Sequence, residues 1–234
     1  MSHLQLPEHI KEISEHETFT FNCHPGVPCF TDCCRQLELA LTPYDVVRLR
    51  KALCITTQQF LEDYAVIEWQ EGDFFPRVYL GMKDDGQVSC PFVTDQGCTV
   101  YDGRPGACRT YPLGRGAYQL DDGSYGAMHV VLHEPHCHGF AEKDIQSVAK
   151  WTEGQELHDY NRMNDAMITI FHHPDTLKKN PTLEQRSLNL DTLYDLDTFR
   201  TQGKVVDADH LTDEEFILVA INWLRLQLFG FFKF

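Results

Sequence analysis

The sequence predicts an α+β fold: a loop-rich cysteine-bearing domain with short helices and a few short strands over residues 1–140, then a mainly α-helical C-terminal extension over 141–234 packed on it. Three observations carry this reading. All nine cysteines lie between Cys23 and Cys137, so composition changes along the chain. Prolines, glycines and short extended runs interleave with those cysteines. After His138-Gly139 the chain turns to helix-opening signals followed by apolar residues at helical spacing. A chain of 234 residues, 42% hydrophobic and 24% charged, has ordinary globular composition and can bury a core.

The elements follow in order. Residues 1–22 are polar and read as a loose lead-in. Thr42-Pro43-Tyr44-Asp45 opens a helix: a Thr cap, Pro at the first helical position and an acid at the third. Thr56-Thr57-Gln58-Gln59 opens a second, short helix ending near Tyr64. Phe74–Met82 and Gln87–Phe92 read as extended pieces around the turn Asp84-Asp85-Gly86. Ala117–Leu120 and Tyr125–Leu132 flank Asp121-Asp122-Gly123-Ser124 as a hairpin, and Leu113–Gly116 reads as loop. Glu142–Lys150 and Thr152–Phe171 read as helices, the second opened by a Thr152…Gln155 box. Pro174 and Pro181 bracket a linker, and Leu188–Thr201 reads as one helix. Thr212…Glu215 opens the apolar Phe216–Phe234 segment, which is interrupted by Asn222, Arg225, Gln227 and Lys233. Central polar residues are costly in lipid, so this segment is not read as a membrane span. Its expected role is a core helix; the alternative is a surface for a protein partner or homodimer.

The chain carries 20 Lys+Arg against 35 Asp+Glu, a formal charge of −15. Nucleic-acid binders gain affinity by neutralising phosphates with cations, so this balance argues against such a partner. The N-terminus has no basic region leading into an apolar run, so it does not read as a signal peptide and a cytoplasmic location is expected. Reducing conditions favour metal over disulfides for clustered cysteines.

Cys23, Cys29, Cys33 and Cys34 lie in a loop with two prolines and a glycine. A loop can aim several thiolates inward where a regular helix or strand cannot. The neighbours Cys33 and Cys34 project differently, so they suit two metals or two sides of one cluster. Cys90, Cys98 and Cys108 follow, and Cys137 closes the set. Cys54, between Leu53 and Ile55 at a helix end, is expected in the core. Eight thiols remain, enough for two four-thiolate sites, while one larger or mixed site stays open. No Gly-rich phosphate loop, Gly-x-Ser-x-Gly elbow or His-Glu-x-x-His is present.

The Cys33-Cys34 loop, the Thr42-Pro43-Tyr44-Asp45 start, Cys90-Pro91-Phe92…Gly97-Cys98-Thr99-Val100-Tyr101 and Arg104-Pro105…Cys108-Arg109-Thr110-Tyr111-Pro112 together resemble the YkgJ-type cysteine-cluster family, the zinc- or iron-chelating CxxxCxxCC domain. The likeness runs from Cys23 to Gly139. It departs at the first gap, where five residues separate Cys23 from Cys29 and the family has about three. The resemblance implies a metal-binding protein with Cys23, Cys29, Cys33, Cys34, Cys90, Cys98, Cys108 and Cys137 as ligands. A flagellin lysine methylase with a similar cysteine set is associated with an iron–sulfur cluster, so a protein-modifying, methylase-like metalloenzyme is a further alternative.

Gaps of seven, nine and 28 residues in the second group are wider than zinc knuckles use. They suit a bulkier iron–sulfur cluster, [4Fe–4S], in structural or electron-transfer use, with a zinc-binding interaction module as the alternative. Arg104 and Arg109 flank Cys108 and either compensate thiolate charge or serve ordinary structural pairs. Tyr101 and Tyr111 are expected to pack around the site. His129, His133, His136 and His138 surround Cys137 and are expected as ordinary imidazoles, since eight thiolates already fill two sites. Glu156 and Asp159 read as a solvated helix face.

Overall fold

A computed structural model describes residues 6–120, 124–176 and 180–230. Strands β1 (Ile10–Ile13) and β2 (Thr18–Thr20) come first, followed by helices α1 (Pro43–Leu53) and α2 (Thr57–Tyr64). Strands β3 (Ala65–Glu68), β4 (Arg77–Leu80), β5 (Val93–Thr94) and β6 (Gly97–Cys98) lead to helix α3 (Gly106–Thr110). Strands β7 (Leu113–Gln119), β8 (Tyr125–Leu132) and β9 (Ile145–Ser147) follow. The rest is helical: α4 (Val148–Gly154), α5 (Leu157–Phe171), α6 (Leu183–Leu193), α7 (Leu196–Thr201) and α8 (Asp213–Phe229). This is the mixed α+β architecture with a helical C-terminal part that the sequence predicts.

The strands pair antiparallel in small sheets: β1-β8-β7, β2-β9, β3-β4 and β5-β6. The β7–β8 hairpin forms as expected, and its Asp121-Asp122-Gly123 tip lies outside the described residues. β7 begins at Leu113, so Leu113–Gly116 is strand rather than loop. Its two glycines hid the strand: a Cβ at Gly114 would stand 2.8 Å from Val130 Cγ2 on β8, so close pairing needs the bare backbone. Gln87–Phe92 forms no strand; its extended character reduces to a bridge between Ser89 and Arg35.

Helices α1, α2 and α8 start where the caps predict. Thr42 and Asp45 form a reciprocal capping box, as do Thr212 and Glu215, and Thr56 caps α2 through the Gln59 N–H. Two helix predictions are corrected. Residues 142–150 hold β9 and then α4, which is capped by Ser147, so Thr152 lies inside a helix. Leu188–Thr201 is two helices, because Asp195 turns its side chain onto the Thr198 N–H and starts α7 afresh.

The main core joins both halves of the chain. Val46, Leu49 and Phe60 of α1 and α2 pack with Tyr160, Met163 and Ile170 of α5 and with Phe216, Ile217 and Leu224 of α8. A smaller cluster, Ile13, Leu113, Val131 and Val148, backs the β1-β8-β7 sheet, with Phe19, Phe140 and Trp151 against it. Cys54 is not part of the core. It ends α1 in the left-handed region at φ 56°, which turns its side chain outward, and it is exposed. No helix of the described residues is long and apolar enough to cross a membrane.

Candidate metal centre

The first loop is folded by its own turns. Val27, Phe30, Asp32 and Cys34 donate N–H groups to the carbonyls of His24, Val27, Cys29 and Thr31. The Asn22 N–H reaches Gly139 O at 3.1 Å, which brings Cys23 beside the Cys137 segment. Gly139 permits that approach, since a Cβ there would stand 2.7 Å from the Phe21 ring and 2.8 Å from Asn22 O. The His138 N–H donates to Cys29 Sγ at 3.1 Å, and the Gly139 N–H to the Cys137 sulfur. Cys23 lies within electrostatic reach of Cys33, Cys29 and Cys137, and Cys137 shares a hydrogen bond with Cys29.

A second group gathers around Cys34 and Cys90. The Cys90 N–H donates to Cys34 O at 2.8 Å, fixing those two residues together. The β5–β6 hairpin pairs Val93 with Cys98, while the Val93 N–H closes a turn onto Cys90 O, so Cys98 returns to Cys90. The Cys90 sulfur takes N–H groups from Phe92 and Val93, and the Cys98 sulfur takes one from Val100. Cys108, on α3, lies within electrostatic reach of Cys90, Asp45, Cys33 and Cys98, and Cys34 within reach of both Cys90 and Cys108. Cys33 and Cys34 join the groups through a thiol–thiol hydrogen bond, which favours charge on Cys33 and the proton on Cys34. All nine cysteines are free.

Burial, reinforced by neighbouring thiols, pushes Cys23 up to about 11 and Cys108 up to about 12. Both residues are nevertheless exposed to solvent. Among the described residues, no group of three or more Cys, His, Asp or Glu side chains is arranged to hold one metal ion as it stands. Gathered, desolvated sulfurs that receive backbone N–H groups are a donor set suited to soft-metal thiolate chemistry.

Asp45 was expected only as a helix cap and does more. Its Oδ2 accepts from the Thr42 N–H and hydroxyl at 2.7 and 2.8 Å, and its Oδ1 accepts from the Gly106 N–H at 2.7 Å. Gly106 begins α3, so Asp45 ties α1 to the helix that carries Cys108. Burial pushes the Asp45 carboxyl up, against the opposing pull of Gly106, Thr42 and Arg109.

The two arginines part company. Arg104 lies beside Cys98 and Cys108, covers the Tyr101 ring at 3.7 Å and donates to Gln155 Oε1. Arg109 is 2% exposed and satisfies carbonyls: Asp102 O at 2.6 Å, Gln155 O at 2.9 Å and Arg104 O at 3.2 Å, with Glu156 at 3.4 Å. It holds the α3 region onto the junction of α4 and α5. Tyr101 is exposed and carries Arg104, whereas Tyr111 packs edge-on to Phe21.

The histidine side chains have other duties. His133 stacks on Phe140 with centroids 4.0 Å apart, and His136 pairs with Glu134 at 3.4 Å. His129 lies on β8, its imidazole pushed down by burial and then by Arg115. His138 contributes its backbone N–H to Cys29. Outside the sequence's list, His24 accepts the Gly26 N–H and pairs with Glu142.

A family profile named CxxCxxCC, described as a "Putative zinc- or iron-chelating domain", matches residues 22–138. Neither the search of curated proteins nor that of solved structures gave a match. The matched segment is half of the chain and contains every cysteine described above. The chain therefore belongs to the CxxCxxCC family of zinc- or iron-chelating domains.

Proposed function

We propose that this protein holds two metal centres on eight thiolates, one on Cys23, Cys29, Cys33 and Cys137 and the other on Cys34, Cys90, Cys98 and Cys108. The observation that carries the division is the backbone link from the Cys90 N–H to Cys34 O at 2.8 Å, which sets Cys34 with Cys90. Cys34 is also acted on by Cys108, whereas Cys33, though within reach of Cys108 too, acts on Cys23 together with Cys29 and Cys137. Four thiolates per site match both a [4Fe–4S] cluster and a tetrahedral zinc.

Iron–sulfur is the preferred occupant. The wide gaps of the second group support it, as do Lys83 beside Cys90 and Arg104 beside Cys98 and Cys108, cations that offset the charge of a thiolate-bound cluster. Bound there, a cluster would serve electron transfer or simply brace the loops, because metal binding and folding are coupled in such segments. Residues 1–140 then form the metal-binding unit, with 141–234 a helical extension packed on it. Nine free cysteines fit a reducing, cytoplasmic setting, and the net charge of −15 disfavours nucleic acid. Zinc is the second reading, favoured by the N–H···S turns at Cys90, Cys98 and Cys137, which also suit a single ion.

Iron, zinc and acid-labile sulfide measured on anaerobically purified protein test this. The expected result is a brown protein with about eight irons and eight sulfides per chain. Cys33→Ala and Cys34→Ala should each lose about half of that metal. A colourless protein with zinc and no iron overturns the iron–sulfur assignment. A protein that binds neither overturns the metal reading altogether.

A further inference from the structure

Tyr111 follows α3 directly, three residues beyond Cys108, and its N–H closes the helix onto Ala107 O. Its ring is wedged edge-on against Phe21, with centroids 5.9 Å apart at 77°. The hydroxyl is buried and has no aligned hydrogen-bond partner. The polar group it faces is the Cys137 thiol, with Glu134 and Cys33 also in its surroundings. A buried hydroxyl left unpaired costs free energy, so such atoms are rare in folded proteins. A neutral thiol is a weak acceptor, while a thiolate sulfur is a charged one and draws a donor into alignment.

We propose that Tyr111 is a positioning residue of the first metal site, its hydroxyl donating a hydrogen bond to the metal-bound sulfur of Cys137. The proposal rests on the reading of Cys137 as a ligand, and it assigns the phenol a role that packing alone does not. Because Tyr111 also ends the helix of Cys108, the same side chain links the first site to the second. A hydrogen bond to a ligand sulfur withdraws electron density from it, which raises a cluster's reduction potential and stabilises the thiolate donor orbitals.

Tyr111→Phe keeps the ring, the Phe21 contact and the helix end while removing only the hydroxyl. In the full chain, purified anaerobically, the variant should retain wild-type iron and sulfide, and the midpoint potential of one cluster should fall. With Co²⁺ loaded in place of the native metal, the thiolate-to-cobalt charge-transfer band should move to lower energy. Replacing Tyr111 by 3-fluorotyrosine strengthens the donor without changing its shape, and should move both signals the opposite way. A metal-loaded Tyr111→Phe protein with unmoved potential and cobalt band overturns the proposal and leaves the two-site reading standing. Should that variant not fold, the fluorotyrosine protein decides alone, an unmoved spectrum again overturning the proposal. A wild-type chain that binds no metal overturns the reading and the proposal together.

Discussion

Asp45 is 2% exposed and accepts three hydrogen bonds, two from its own capping box and one from a residue 61 positions away. Asp45→Ala strands three donors, including two backbone N–H groups, and should cost about 3 kcal/mol in denaturant unfolding of the metal-loaded protein. Thr42→Ala removes only the local part of the box and should cost about 1 kcal/mol. Equal losses in the two variants would show that the Gly106 link carries nothing. The Thr-Pro-x-Asp pattern made the cap legible, since a capping box is a local device. The second partner was not legible, because a contact across 61 residues leaves no mark in local spacing. Cys54 teaches the same lesson from the other side. Apolar neighbours suggested the core, but a left-handed residue at a helix end points away from the face its neighbours share. Cys54→Ser should therefore keep the full metal content and shift stability by no more than about 0.5 kcal/mol. Loss of metal in that variant would add Cys54 to the ligand set.

Among the elements, the starts of α1, α2 and α8 were read well, while the starts of α4, α5 and α6 and the helix interruptions were read poorly. Thr42, Thr56 and Thr212 each announce a helix through contacts within three residues. The junction of α4 and α5 has a different cause. Glu156 sits at φ 54°, and the break is gripped from outside by Arg104 on the Gln155 side chain and Arg109 on the Gln155 carbonyl. Tertiary contacts set that boundary, so the local Thr152…Gln155 pattern misled. The eight clustered cysteines stood out because clustering needs no long-range knowledge, whereas which of them meet depends on how their segments come together in space. The α8 cap gives a pH test. The Thr212 backbone N–H, then its hydroxyl, holds the Glu215 carboxyl below its ordinary value of 4.5. A depressed folded value means that the interaction stabilises the protein above the ordinary value and is lost as pH falls through the folded one. Glu215→Gln should thus be less stable than wild type at neutral pH, with melting temperatures converging as the solution is acidified below 4.5. A gap that persists unchanged into acid would mean that the carboxylate charge contributes nothing to the cap.

At the scale of the molecule, α8 lies at the far end of a chain of contacts that begins at Cys108. Phe216, Ile217, Ala220, Ile221 and Leu224 are each 3% exposed or less and belong to the core that contains Val46 and Leu49 of α1. Asp213 and Glu214 fasten the start of α8 to α1 through Arg50 at 2.7 Å and Tyr44 at 3.3 Å. On its other side α1 holds Asp45, which holds Gly106 and so the helix of Cys108. The helical character of the cysteine-free tail was recognisable from its caps and apolar run, but its route to the thiols was not. Burial of the two isoleucines, the leucine and the phenylalanine contributes on the order of 8 kcal/mol at about 2 kcal/mol each. That is comparable with the entire stability of an ordinary domain. A chain ending at Leu211 should therefore lose cooperative unfolding and should not hold metal on Cys108 and its neighbours, whereas an α8 serving mainly as a dimer surface would leave a folded, metal-loaded monomer. Light scattering, circular dichroism and metal analysis on the truncated and full chains separate these outcomes, and a compact monomer with full metal content would break the proposed link from α8 to the centre.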